Sequence, residues 1–264
     1  MIDNNKNNLK LKPESTKSEE KIAAEEPLEN FEDYELLAER YSKDGYVVFE
    51  PEIETNVIDK VALDTLEILN RPKYQTQNRV QDAWYFKNSI RSLAIHGKIL
   101  DFLSFVYKRK ALPFQTLNFK EGTQQPVHSD AVHFNCRPEG FMCGVWIALE
   151  DVTMDNGPLI YYPGTHTYPD FLMDTFNLPQ DTKYYRQYEI ALQEWIDRKK
   201  IKPHYGVMKK GQALVWASNI LHGGSEIKEA NSTRLSQVTH YYFEGVQPWR
   251  PLLGGVDFNP QYIL

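Results

Sequence analysis

From Ala111 onward the chain consists largely of short segments rich in branched and aromatic residues, separated by Gly, Pro or Asn: Leu112–Phe119, Val127–Phe134, Phe141–Leu149, Leu159–Tyr162, Gln212–Ala217 and Arg234–Phe243. Several short strands with turn signals between them point to a sandwich or barrel. One interruption, at about 167–205, carries Tyr188, Ala191, Leu192, Trp195 and Ile196 at helical spacing. Such an insertion serves either as a lid or substrate wall on a rigid scaffold, or as a helix that covers one sheet. Upstream, Val57, Ile58, Val61, Ala62, Thr65, Leu66 and Leu69 form one amphipathic stripe, and a second helical region runs from about Ser89 to Tyr107 with a break near Gly97. The expected class is mainly β with flanking helices (α+β).

Residues 1 to about 29 are rich in Asn, Lys, Glu and Ser and nearly devoid of aromatics, the composition of a disordered tail. Aromatic spacing begins at Phe31, continues through Tyr34, Leu37 and Tyr41, and meets a helix break at Asp44-Gly45 before the strand-like Tyr46–Phe49. We therefore expect a single domain over 30–264. The net charge of −6 argues against a chain whose main task is to neutralise nucleic-acid phosphates. No apolar run approaches the roughly 20 residues that cross a bilayer, and the N-terminus is polar where a signal peptide needs an apolar core. These features predict a cytoplasmic protein without nucleic-acid or membrane partners. Cys136 and Cys143 do not match a common zinc spacing and read as reduced thiols. Phosphate-loop, nucleophile-elbow and H-E-x-x-H signatures are absent.

Chemistry concentrates in two stretches. In Gln125–Phe134, His128 and Asp130 fall two residues apart, so on a strand they share a face and present one imidazole and one carboxylate to a single ion. Alone, H-x-D is a weak signal. His222 follows the apolar strand ending near Ala217 and precedes Gly223-Gly224, where close backbone approach is allowed. It would complete the two-His, one-carboxylate face suited to non-haem iron(II). Arg234 lies twelve residues further on, and alternation places Ser236 beside it. A guanidinium with a neighbouring hydroxyl suits a carboxylate, either that of a cosubstrate or that of a local Asp or Glu.

These motifs, in order, resemble the phytanoyl-CoA dioxygenase family of iron(II)- and 2-oxoglutarate-dependent oxygenases. The resemblance covers roughly 46–243 and includes Asp44-Gly45-Tyr46-Val47-Val48, His128-Ser129-Asp130, Val145–Asp151, Asn156-Gly157-Pro158-Leu159, Pro163–His166, His222-Gly223-Gly224 and Arg234-Leu235-Ser236. It implies a double-stranded β-helix, a cupin-like jelly-roll, with Fe(II) on His128, Asp130 and His222 as the catalytic centre. It further implies 2-oxoglutarate on Arg234 with Ser236 assisting, Trp146 near the cosubstrate, and O2 as oxidant. Arg234 sits one residue further from the distal histidine than is usual in the family, a shift one turn absorbs. On the preceding strand Gln115 and Asn118 point to opposite faces, so at most one meets the cosubstrate, and Gln115 is the candidate. The implied reaction hydroxylates an unactivated carbon of a small organic metabolite with release of succinate and CO2. Asp130 disfavours halogenation, because related halogenases carry a small residue there. His133 is a candidate pocket residue of undetermined direction, and His166 fits a structural turn. The alternatives are a non-catalytic jelly-roll binding protein and a cupin-type metalloenzyme without 2-oxoglutarate. Arg234 with Ser236 is the feature that separates them.

Overall fold

The computed structural model describes residues 33–74 and 76–264. The predicted tail and Phe31 lie outside the described residues. Among the described residues five α-helices precede or interrupt the strands: α1 (Tyr34–Asp44), α2 (Thr55–Leu69), α3 (Asn88–Ala94), α4 (Gly97–Tyr107) and α5 (Tyr185–Lys199). The strands are β1 (Tyr46–Phe49), β2 (Arg79–Gln81), β3 (Ala111–Phe119), β4 (Asn135–Arg137), β5 (Met142–Ala148) and β6 (Leu159–Tyr161). They continue with β7 (His204–Tyr205), β8 (Ala213–Ala217), β9 (His222–Gly224), β10 (Ser236–Phe243), β11 (Gln247–Arg250) and β12 (Val256–Asp257).

They form an antiparallel six-stranded sheet in the order β1-β8-β5-β10-β3-β2, and two antiparallel three-stranded sheets, β7-β6-β9 and β12-β11-β4. The fold is thus mixed α/β with antiparallel sheets. Alternation sorts the large sheet's residues to two buried faces. Val145 and Ile147 of β5 and Ala213 and Val215 of β8 pack with α1–α4, sharing a core with Leu37, Val61, Leu93 and Phe102. Trp146, Ala148, Leu214 and Trp216 point the other way, toward Tyr161 of the small sheet. The helices buttress the sheet, as their apolar stripes predicted, and the break between α3 and α4 falls beside Gly97.

Helix α5 supplies Tyr188, Leu192 and Ile196 to a third core with Tyr162, Leu221 and Val127, so most of the insertion covers the small sheet. Its first residue, Tyr185, reaches the site described below. Among the described residues no helix is long and apolar enough to cross a membrane.

The expected strand over Val127–Phe134 is not formed. His128 makes a single bridge to His222, and Asp130–Val132 is one 3₁₀ turn. Ser129 starts that turn: its Oγ accepts from the Ala131 N–H at 3.3 Å and donates to the Ser218 carbonyl at 3.2 Å. Ala131 and Val132 are both fully buried, so apolarity here follows contiguous burial rather than period-two alternation. The strands after Phe243 were not anticipated either. They are very short, and β11 carries Pro248 at the sheet's centre, a residue that usually argues against a strand.

Candidate metal centre

His128, Asp130 and His222 are buried, and each offers a ligand atom within 4.8 Å of the others. Two adjacent backbones hold the imidazoles. The His128 N–H donates to the His222 carbonyl at 2.8 Å, and the His222 N–H donates back at 3.0 Å. That approach needs bare backbone beside it: a Cβ on Gly223 would lie 2.8 Å from the Gln125 carbonyl oxygen, and one on Gly224 2.7 Å from the Gln124 nitrogen. The glycines after His222 therefore do what the sequence predicted.

Each imidazole is also fixed in rotation and tautomer. His128 Nδ1–H donates to the Pro126 carbonyl at 3.0 Å, and His222 Nδ1–H to the Ile220 carbonyl at 3.1 Å. Both Nε2 lone pairs face Asp130 Oδ1, at 3.8 and 3.7 Å, with the Gln125 amide 3.5 Å from the one on His128. The separations from Oδ1 are too long for hydrogen bonds, so three donor atoms converge on one space without satisfying one another. Burial, reinforced by the neighbouring His222, lowers His128 to about 3, which keeps it neutral near pH 7. Burial alone would raise Asp130, but His222, His240 and His128 together hold its carboxyl below the usual range. Neutral imidazole and ionised carboxylate are the protonation states a metal ion requires.

Two contributors escaped the sequence reading. Trp216 Nε1 donates to Asp130 Oδ2 at 2.8 Å, leaving Oδ1 turned toward the histidines. A Cβ at Gly144, its partner across the ladder, would come within 2.3 Å of the Trp216 ring, so glycine makes room for the indole. His240 Nε2 lies 3.5 Å from the same Oδ2, while its Nδ1–H donates to Gln115 Oε1 at 2.9 Å. A tryptophan on an apolar strand reads as core. His240, by contrast, follows Ser236 and Val238 on one face of β10, and period two counted from Arg234 leads to it. Trp216→Phe keeps an aromatic ring but loses the donor and part of the buried indole. We expect a roughly 10–100-fold loss of divalent-metal affinity by metal titration, with a lower melting temperature from the space left beside Gly144.

A cavity of about 70 Å³ is lined by the three metal-ligand candidates together with Arg234, Trp146, Trp216 and His240. Arg234 is buried, and its Nε has no hydrogen-bond partner. Among the described residues its guanidinium makes one hydrogen bond, from a terminal nitrogen to the Glu121 carbonyl at 3.4 Å. Among the described residues no carboxylate lies within ion-pair distance of it. Glu150, the nearest candidate by charge, is taken up by the Leu235 N–H and the Thr233 hydroxyl. The Arg234 guanidinium lies 5.1 Å from the Trp146 ring, a cation–π contact. Burial, partly offset by Glu150, lowers Arg234 to about 10, still protonated at neutral pH.

The remaining predicted residues sort as follows. Ser236 is buried behind Arg234, donating to its carbonyl at 3.4 Å, and does not line the cavity. Gln115 borders an outer cleft of about 720 Å³ that shares His128, Asp130 and His240 with the inner cavity. Asn118 points away, its amide donating to Gln237 in the helix-side core. His133 lines the outer cleft, and its Nε2 meets the Tyr185 hydroxyl at 2.9 Å. His166 is structural, its Nε2–H donating to the Ser42 carbonyl at 3.0 Å. Cys136 and Cys143 are both buried and free.

Among solved structures the chain is similar to the non-heme alpha ketoglutarate dependent carbocyclase SnoK from nogalamycin biosynthesis, with a TM-score of 0.66 and 17% identity over 80% of this chain and 85% of that one. It is also similar to EctD from S. alaskensis, solved with 2-oxoglutarate and 5-hydroxyectoine, with a TM-score of 0.61 and 17% identity over 80% of this chain and 76% of that one. At these identities the likeness is one of fold. Among curated sequences, the peroxisomal phytanoyl-CoA dioxygenase of Bos taurus is 28% identical over 109 residues, 41% of this chain and 31% of the relative. A probable phytanoyl-CoA dioxygenase of Caenorhabditis elegans is 43% identical over 49 residues, 19% of this chain and 16% of the relative. The chain thus spans less than a third of the length of these relatives. The sequence profile described as phytanoyl-CoA dioxygenase matches residues 10–234. A match that runs through the H-x-D turn and His222 and reaches Arg234 takes in most of the chain, which belongs to the phytanoyl-CoA dioxygenase family.

Proposed function

We propose that the protein is an Fe(II)- and 2-oxoglutarate-dependent dioxygenase that hydroxylates an unactivated carbon of a small organic molecule, built as one domain over 30–264 on a double-stranded β-helix core. The observation that carries this reading is Arg234, a buried cation with no counterion among the described residues, on the wall of the cavity that holds the His128, Asp130 and His222 donors. Leaving such a charge unpaired is costly unless an anion arrives to meet it. A dicarboxylate fits: one end reaches the metal ligands while the far carboxylate takes the guanidinium fork.

His128, His222 and Asp130 would hold the iron by Nε2, Nε2 and Oδ1, a donor set suited to non-haem iron(II). When bound, iron with 2-oxoglutarate and O2 supplies the oxidising power, as C–H becomes C–OH and 2-oxoglutarate becomes succinate and CO2. The chain's own residues orient and shield. Trp216 fixes the Asp130 carboxylate, Trp146 flanks Arg234, and the buried walls exclude water from the reacting centre. The outer cleft receives the substrate, with Tyr185 of the 167–205 insertion on its wall.

An anaerobic titration of the purified protein with Fe(II) and then 2-oxoglutarate is the test. A visible charge-transfer band is expected when both are present and with neither alone. Its absence would sink the reading and leave a binding protein or a metalloenzyme that does not use 2-oxoglutarate.

A further inference from the structure

The outer cleft carries positive charge that the metal and cosubstrate chemistry does not use. Arg250 ends β11 and is half-buried, its guanidinium 4.6 Å from the Phe134 ring and 5.0 Å from the Phe258 ring. Its Nε donates to the His133 carbonyl at 3.4 Å, which orients the fork, and among the described residues neither terminal nitrogen has a hydrogen-bond partner. Among the described residues no carboxylate lies within ion-pair distance of Arg250. Burial lowers its pKa, an effect partly offset by Tyr242. A second guanidinium, Arg79, lines the same cleft and also has no acidic partner among the described residues.

The two acids on the cleft wall are committed elsewhere. Asp82 accepts from the Thr116 N–H and from Gln81 Nε2, both at 3.0 Å, and Asp130 belongs to the metal centre. Two arginines without an ion-pair partner among the described residues therefore face the cleft that opens on the metal centre, Arg250 half-buried and Arg79 exposed.

We propose that the substrate is a small organic acid whose carboxylate docks on Arg250, with Arg79 attracting it and its apolar body lying along Phe134 and Phe258 toward the metal centre. A carboxylate is favoured over a larger anion because one rotationally fixed fork matches two oxygens, and its neighbours are rings rather than further donors. This inference rests on the oxygenase reading of the same site.

The experiment uses protein loaded anaerobically with Fe(II) and 2-oxoglutarate, and follows perturbation of the charge-transfer band by short straight-chain and phenyl-substituted carboxylic acids. Each acid is paired with its primary amide and with the phosphate monoester of the matching alcohol. At least one acid is expected to bind about 10–100-fold more tightly than its amide, the size of a charge-assisted contact. Arg250→Gln should erase that preference, and Arg250→Lys should restore part of it. The inference is overturned if no acid outbinds its amide, if R250Q keeps the preference, or if the phosphate esters outbind the acids. It is overturned too if R250Q weakens 2-oxoglutarate instead, which would assign Arg250 to the cosubstrate. The acid-against-amide comparison on the unsubstituted protein decides even where a variant fails to fold. Failure of the oxygenase reading is distinguishable, because the band is then missing before any acid is added, and the present inference falls with it.

Discussion

Asp130→Ala is expected to abolish 2-oxoglutarate turnover, a larger effect than the roughly 10–100-fold loss that follows removal of a group behind the ligands. The substitution deletes the only anionic donor of the three and the oxygen on which both Nε2 atoms converge. It also strips Trp216 Nε1 of its acceptor in a buried place, which costs about 1–3 kcal/mol for a donor left unsatisfied. Activity loss and destabilisation therefore arrive together in this variant. Asp130→Asn separates them, since the amide oxygen still accepts from Trp216 while the charge is gone. A fold held close to the parent's melting temperature, with iron binding and succinate formation lost, is the expected pair of measurements. Iron binding that survives in both variants would remove Asp130 from the ligand set.

Arg234→Met is expected to raise the KM for 2-oxoglutarate by a hundredfold or more, on the order of two charge-assisted hydrogen bonds at about 1.5–3 kcal/mol each. Iron(II) affinity should stay within a few fold, because Arg234 makes no contact with the three donors among its hydrogen bonds. The stability effect carries the more diagnostic sign. Burial lowers the pKa of Arg234, so the folded state disfavours its charge relative to the unfolded chain. An apolar side chain of similar length should therefore raise the melting temperature of the cosubstrate-free protein by about 2–4 °C per kcal/mol gained. Saturating 2-oxoglutarate should stabilise the parent and leave the variant unmoved. An arginine that served only the fold would show the opposite: a lower melting temperature and an unchanged KM.

Much of this site was legible because its chemistry-bearing residues are sparse, polar and set in apolar surroundings. His128 and Asp130 two residues apart, His222 before paired glycines and Arg234 beyond it need no tertiary information to stand out. The structure brings all four to one cavity, although by a route the alternation argument did not foresee. Asp130 reaches the centre from a 3₁₀ turn capped by Ser129, where a hydroxyl competes with the sheet for backbone partners. Ser236 shows the limit of period two: sharing a strand face with a functional neighbour does not place a side chain on the cavity wall. Trp216 was hidden by its hydrophobicity. Arg250 was hidden by distance along the chain, since only the β4-β11 pairing and the ring of Phe134 bring it to the cleft.

The reciprocal backbone bonds between His128 and His222 have a consequence for which ion the protein carries. Because they fix the spacing of the two imidazoles before anything is bound, the ordering entropy falls on folding rather than on ion capture. A face rigid from the start cannot reject a competitor by refusing to close around it. Affinity should then climb along the first-row series from manganese to copper, with iron near the weak end. The resident ion would be set by cellular supply and rapid exchange, and cobalt, nickel or zinc would act as tight, inert occupants of an otherwise intact enzyme.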